Sequence, residues 1–216
     1  MKKIISLVLI CFMSAAPVFA REGSAVATKV IKSMEEAQAS IVDAALEYVQ
    51  TITYFSTGER QVSRGDIKMK EPNIYIYQRQ PKYQHTYIDG KKMITYVPEN
   101  KQAIVESWKD VLENNVVLAA ALNFNKNYKN AKIDYNVTMV VQTDKEYCLM
   151  IKSVNINENW KLYLNVDSTT FLVNSAIYEN NNFKVEVKMH NYKLNTGLSD
   201  SIFEFNAPKD VEVVEM

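Results

Sequence analysis

Cysteine is nearly missing from this chain, which has only Cys11 and Cys148. Histidine is as scarce, with His85 and His190 alone, and 216 residues contain five glycines and five prolines. These scarcities exclude whole classes of chemistry. Two distant histidines without a second nearby cysteine do not make a zinc site. No glycine-rich loop is present to cradle a phosphate, and no GxSxG turn to present a nucleophilic serine. Neither sign of charge dominates, since 25 basic residues face 25 acidic ones. With no basic block or stripe, nucleic acid is not an expected partner. Adjacent carboxylates such as Glu35 and Glu36 fall beside lysines, the pattern of a solvated helix face. No constellation of nucleophile, base and orienting group emerges, so neither an enzyme nor a cofactor is expected.

Long apolar runs are also lacking. The longest, residues 4–13, is broken only by Ser6 and is too short for a bilayer, which takes roughly 20 apolar residues. It follows Lys2 and Lys3 and leads to Ser14, Ala15, Ala16 and a small-residue end at Ala20. A basic end, a greasy middle and a small residue at the cut are the layout of a secretory signal. Residues 1–20 are expected to be cleaved, leaving residues 21–216 as a single domain. Lipidation of Cys11 is the rival reading, opposed by bulky Ile10 beside the cut and by the short apolar core before it. Loss of Cys11 leaves Cys148 alone, so no intramolecular disulfide is expected. The periplasm is the expected compartment.

What the chain does have is alternation. After one amphipathic helix over residues 25–41, with Val26, Val30, Met34 and Ile41 near one face, it reads as strand after strand. LEYVQTITYF (46–55) is rich in β-formers, and DIKMK (66–70) sets Ile67 and Met69 against Lys68 and Lys70. The same period of two recurs around Val137, in Trp160/Leu162/Leu164/Val166 and in Phe183/Val185/Val187/Met189. Turn residues at 56–58, 89–90, 98–100, 155–159 and 179–182 punctuate these runs. The expected class is mainly β, with about ten or eleven antiparallel strands in a meandering barrel or wrapped sheet.

Two segments depart from that rhythm. Residues 108–123 (WKDVLENNVVLAAALN) read as an inserted helix, too apolar all round to lie on a wet surface. Val111, Leu112, Leu118 and Leu122 would either close a chamber as a lid or finish the core as a plug. The second segment is NIYIYQ, in which Tyr75 and Tyr77 alternate with Ile74 and Ile76. This strand is apolar on both sides, so its second face needs another layer, a partner or a ligand.

Four stretches in order carry a family resemblance. RGDIKMKEPNIYIYQRQP (64–81) holds Gly65-Asp66, a strand, Lys70, Pro72-Asn73 and alternating tyrosines. YIDGKKMITYVPENKQA (87–103) holds Asp89-Gly90-Lys91, then Met93, Tyr96 and Pro98. FEFNAPKDVEVV (203–214) closes the chain, and Tyr48 with Gln50 fits an aromatic-x-Gln in the first strand. Together these resemble the outer-membrane lipoprotein carrier family, LolA. The resemblance implies a half-open antiparallel β-barrel with an N-terminal helix, lidded by helices over an apolar cavity. Its cargo would be the acyl chains of lipoproteins, taken from an inner-membrane ABC-type transporter and given to an outer-membrane receptor. A monomer is the expected state. On this basis the cavity residues would be Ile67, Met69, Tyr75, Tyr77, Met93 and Tyr96. A lipid- or glycolipid-binding sensor on the same fold is the alternative.

One position departs from the family. Where its members carry an arginine that hydrogen-bonds the lid, this chain has Glu71. Strand parity would place Glu71 beside Ile67 and Met69, facing the cavity. An ionised carboxylate there can only accept hydrogen bonds, and Lys68, Lys70 or Lys109 would be its partners.

Overall fold

The computed structural model describes residues 25–113, 135–155, 157 and 159–216. Among them are two α-helices and twelve strands. The strands hydrogen-bond in the order β12-β6-β5-β4-β3-β2-β1-β11-β10-β9-β8-β7. Among the described residues no ladder joins β12 to β7, so the sheet is not closed, and the mainly β class holds. Its contacts divide the described chain into two compact units. The strands β1 (Ala44–Tyr54), β2 (Arg60–Lys70) and β11 (Phe183–Leu194) contribute a segment to each.

The first unit gathers residues 25–40, 50–61 and 135–188. Helix α1 (Ala25–Ala39) buries Ala27, Val30, Ile31 and Met34, spaced three and four apart so that they share one face, and it packs on β7 (Tyr135–Gln142). Val30 and Met34 of the expected stripe are buried, whereas Val26 is exposed and Ile41 lies past the helix end. Strands β8 (Glu146–Ser153), β9 (Trp160–Asp167) and β10 (Val173–Asn180) follow as an antiparallel meander. Register aligns Ile151, Leu162 and Tyr178 in one row and Leu149, Leu164 and Ala176 in the next. All six are buried. Between them on β9, Lys161, Tyr163, Asn165 and Asp167 point to the other, more open side. Cys148 is a half-buried free thiol on β8, and burial pushes its pKa up.

The second unit gathers Ile41–Val49, residues 62–113 and Met189–Met216. Strands β3 (Asn73–Gln80), β4 (Gln84–Ile88), β5 (Lys92–Val97) and β6 (Gln102–Ser107) form hairpins, and α2 (Trp108–Glu113) packs on β5 and β6. Gly90 turns the β4–β5 hairpin at φ +81°, where a side chain is strained. The Asp89 carboxylate accepts the backbone N–H groups of Lys91 and Lys92 there. Strand β12 (Glu212–Glu215) is a correction to the all-antiparallel expectation, because it pairs with β6 in parallel. It reaches that edge from residues 204–211 rather than through a hairpin, so nothing forces the chain to reverse. The inserted helix expected over 108–123 is described only as α2. Leu118, Leu122 and the leader at 1–20 lie outside the described residues.

Candidate functional site

Register settles which of the expected cavity residues share a side. Directly paired residues in a ladder lie on one face. Ile67 pairs with Ile76, and Met69 with Ile74. Ile74 pairs with Ile88, and Ile88 with Met93. Ile67, Met69 and Met93 therefore stand together, at 1%, 7% and 3% exposure, on a face shared by Ile76 and Ile88. We call this the inner face. Sequence reasoning named Ile74 and Ile76 as one face of NIYIYQ without assigning them to the cavity, and did not mark Ile88.

Tyr75, Tyr77 and Tyr96 fall on the opposite face. Tyr77 pairs with His85, and His85 with Tyr96. The His85 ring lies 4.8 Å from the Tyr77 ring and 5.8 Å from that of Tyr96, both nearly parallel. The Tyr75 hydroxyl and His85 Nδ1 share a hydrogen bond at 2.8 Å. Burial holds the His85 pKa below its ordinary value and pushes the Tyr75 hydroxyl up to about 12, with smaller contributions from Tyr87, Tyr77 and Asp66. Lys68 stands 5.9 Å over the Tyr75 ring, within cation–π range. The six expected residues thus divide three and three between two faces of one sheet.

A segment near the C-terminal end supplies the layer that the second apolar face needs. Asp43, 3% exposed, accepts hydrogen bonds from the backbone N–H groups of Thr196, Gly197 and Leu198 and from the Thr196 hydroxyl. Burial pushes the Asp43 carboxyl up, but these hydrogen bonds outweigh it and hold the pKa below the ordinary value. Lys70 then donates to the Leu198 carbonyl at 3.1 Å and pairs with Asp200 at 2.6 Å. The chain turns through a short 3-10 helix, Asp200–Phe203, burying Phe203. Phe205 then packs on the rings of Tyr87 and Tyr96 at 5.4 and 5.5 Å. Beside it is an open pocket of about 440 Å³, walled by Tyr87, Ile94, Phe203 and Phe205 and rimmed by Asp89, Lys92, Asp200 and Glu204. Such a charged rim does not suit an acyl chain. No sequence signal marked Asp43 as the anchor of this segment.

Glu71 is not on the inner face, which corrects the parity expectation. Lys70 pairs with Asn73, so β2 ends there and Glu71-Pro72 make the two-residue turn, both exposed. Proline lacks the N–H that would continue a ladder, so the alternation stops one residue before Glu71. Of its proposed partners, Lys70 is engaged with Asp200, and Lys68 lies over Tyr75. Val111 is half-buried on α2, whose first residue Trp108 is buried. His190 sits on the surface with Nε2 at 3.6 Å from Glu47.

Gly65 explains the Gly-Asp pair of the resemblance. A Cβ there would overlap the Tyr77 carbonyl oxygen and come within 2.9 Å of the Tyr48 ring. Glycine lets the β2 backbone pass under a buried tyrosine, and no other residue fits.

Comparison with known proteins agrees with this geometry. The family model for the outer membrane lipoprotein carrier protein LolA matches residues 40–206. An outer-membrane lipoprotein carrier protein of Legionella pneumophila (strain Lens) is 26% identical over 188 residues, covering 83% of this chain and 91% of that one. One from Haemophilus influenzae (strain PittEE) is 27% identical over 169 residues, covering 77% and 78%. Among solved structures, an uncharacterized conserved protein from Thermus thermophilus superposes with a TM-score of 0.58 at 10% identity, over 88% of this chain and 99% of its own. That likeness establishes a shared fold. The family match spans every strand from β1 to β11, and the chain belongs to the LolA lipoprotein-carrier family.

Proposed function

We propose that this protein is a periplasmic carrier of lipoproteins and not a catalyst. It holds their acyl chains against the inner face of β2 to β5, on Ile67, Met69, Ile76, Ile88 and Met93. Cargo would come from an inner-membrane ABC-type transporter and pass to an outer-membrane receptor. The observation that carries the reading is the family match over residues 40–206, which contains that whole face.

Energetics make the task intelligible. Each methylene kept from water is worth about 0.8 kcal/mol, so one long acyl chain left in water costs on the order of 10 kcal/mol. A carrier must recover most of that and still release. The inner-face residues are buried, so loading must exchange protein cover for acyl chain, and the difference between two apolar contacts is small. Val111, Leu112, Leu118 and Leu122 are the proposed cover. A lid that closes on the empty face and yields to acyl chains makes loading reversible.

The test is displacement of an environment-sensitive apolar dye from the folded protein. An acylated peptide is expected to displace it, and the same peptide without its acyl chains to leave it bound. Equal displacement by the bare peptide would mean that the site reads polypeptide, and the carrier reading would fall.

A further inference from the structure

The inner face is not uniformly apolar, and its polar residues follow a pattern. Gln78, Thr86, Thr95 and Glu106 sit on the four successive strands β3 to β6. Register places each on the inner face. Gln78 is two residues along from Ile76, the partner of Thr86. Thr86 pairs directly with Thr95. Thr95 is two along from Met93, the partner of Glu106. Direct neighbours across a ladder stand about 5 Å apart and diagonal ones about 7–8 Å. These side chains therefore form a diagonal polar line through the isoleucines and methionines. Tyr48 extends it at the β2 side, since its ring lies against Gly65, the partner of Gln78.

Four atoms on this line have no hydrogen-bond partner among the described residues: Tyr48 Oη, Gln78 Oε1, Thr95 Oγ1 and Glu106 Oε2. Tyr48, Gln78 and Thr95 are 1%, 5% and 7% exposed. Orphaned buried polar atoms are rare in folded proteins, and each one disfavours the ligand-free fold. Four on a single line of a single face call for one common explanation. Valine or phenylalanine would fill the Thr95 and Tyr48 positions without an orphan.

Resting on the carrier reading above, we propose that this line is a subsite for the ester and amide linkages by which acyl chains are attached. The hydroxyls of Tyr48 and Thr95 donate to linkage carbonyls, and Gln78 Oε1 accepts an amide N–H. Hydrocarbon tails alone satisfy none of these atoms. A free fatty acid offers a single polar end, whereas the line crosses three interstrand spacings, roughly 14 Å. A diacylglyceryl group with several carbonyls matches that extent. Burial also raises the Glu106 pKa, the direction that favours an acid able to donate to a carbonyl. The Met and Ile rows would supply affinity, and the polar line would choose acylated protein over bare hydrocarbon.

The experiment compares two probes of equal carbon count on the full-length protein. One is a dipalmitoylglyceryl-cysteine peptide, with ester carbonyls, and the other its dihexadecyl ether analogue, without them. The wild type is expected to bind the ester about tenfold more tightly, the worth of a net hydrogen bond or two. Thr95→Val and Tyr48→Phe should each cut that preference severalfold and leave ether binding unchanged. Both should also raise the melting temperature of the ligand-free protein, because each removes an orphan. Equal binding of the two probes by the wild type would overturn the inference while the carrier reading stands. So would an unchanged preference in both variants, or a lowered melting temperature in both, since the hydroxyls would then serve the fold. Binding of neither probe would sink the carrier reading and this subsite with it.

Discussion

Strand β9 and strand β3 solve the same problem differently. On β9, buried Trp160, Leu162, Leu164 and Val166 alternate with Lys161, Tyr163, Asn165 and Asp167, so one face is dry and the other wet. On β3, Ile76 is buried on the inner face while Tyr75 and Tyr77 line the other with His85 and Tyr96. A strand with one wet face is complete once its core is packed. A strand with two apolar faces needs a second cover, and on this face Phe205 lies over the neighbouring Tyr87 and Tyr96. Lysine and asparagine on alternate positions mark a wall, whereas tyrosine on alternate positions marks a wall that something else leans on.

The severest way to break this contrast is at Gly65. Gly65→Val drives a branched side chain into the Tyr77 carbonyl and the Tyr48 ring. A loss of about 3 kcal/mol or more is expected, read as a collapse of the denaturation midpoint. Next come matched truncations, Leu162→Ala in the first unit and Ile76→Ala in the second. Each should lose about 2–5 kcal/mol, but dye binding should weaken only with Ile76→Ala. Equal weakening would mean that the inner face of the second unit has no special role.

Phe205→Ala tests the tyrosine cover more gently. The ring is half-buried against Tyr87 and Tyr96, so about 1–2 kcal/mol is expected, with the tyrosine fluorescence of the second unit altered. Acylated-peptide binding should stay intact, because Phe205 and the inner face lie on opposite sides of the strands.

Asp43 sharpens the same comparison through pH. Its folded pKa is lowered, so the stabilisation is present above the ordinary aspartate value, near 3.9. It is lost as pH falls through the folded value. Hydrogen exchange at Thr196, Gly197 and Leu198 should accelerate in that acid window, while the amides of β9 remain protected. Asp43→Ala should remove the pH dependence and leave these amides fast throughout. The smallest effect is expected at Glu71. Exposed in its turn, Glu71→Gln and Glu71→Leu should each change stability by less than about 0.5 kcal/mol and leave loading of acylated peptide unchanged.

Much of this was legible from residue alternation. DIKMK, WKLYLNV and FKVEVKM declare their strands, because a half-buried strand must place apolar residues at every second position. The two apolar faces of NIYIYQ were equally plain. The division of the tyrosines from the isoleucines was not, since alternation shows that two faces differ without showing which is the inner one. Parity failed at Glu71 because a strand's end is set by pairing, and Pro72 ended this one early. Asp43 and Phe205 were invisible for another reason. Their partners lie more than a hundred residues away along the chain, and no local period records such a contact. Thr86 and Thr95 read as ordinary β-formers until register joined them into a line with Gln78 and Glu106.

Strand β12 bears on how the molecule behaves among its own copies. An unclosed sheet ends in exposed backbone groups that invite another strand. On one side, β6 is already occupied by four residues of β12, with the Glu212 amide on the Lys101 carbonyl and the Met216 amide on that of Val105. Two of those four residues are glutamates, and Lys101 ties down the approach through Asp210 at 2.7 Å. A short, acidic outer strand repels a second copy of itself, so the edge resists growing into a polymer. That protection would suit the proposed carrier, in which the apolar inner face and the free sheet edge both have to be kept from other copies.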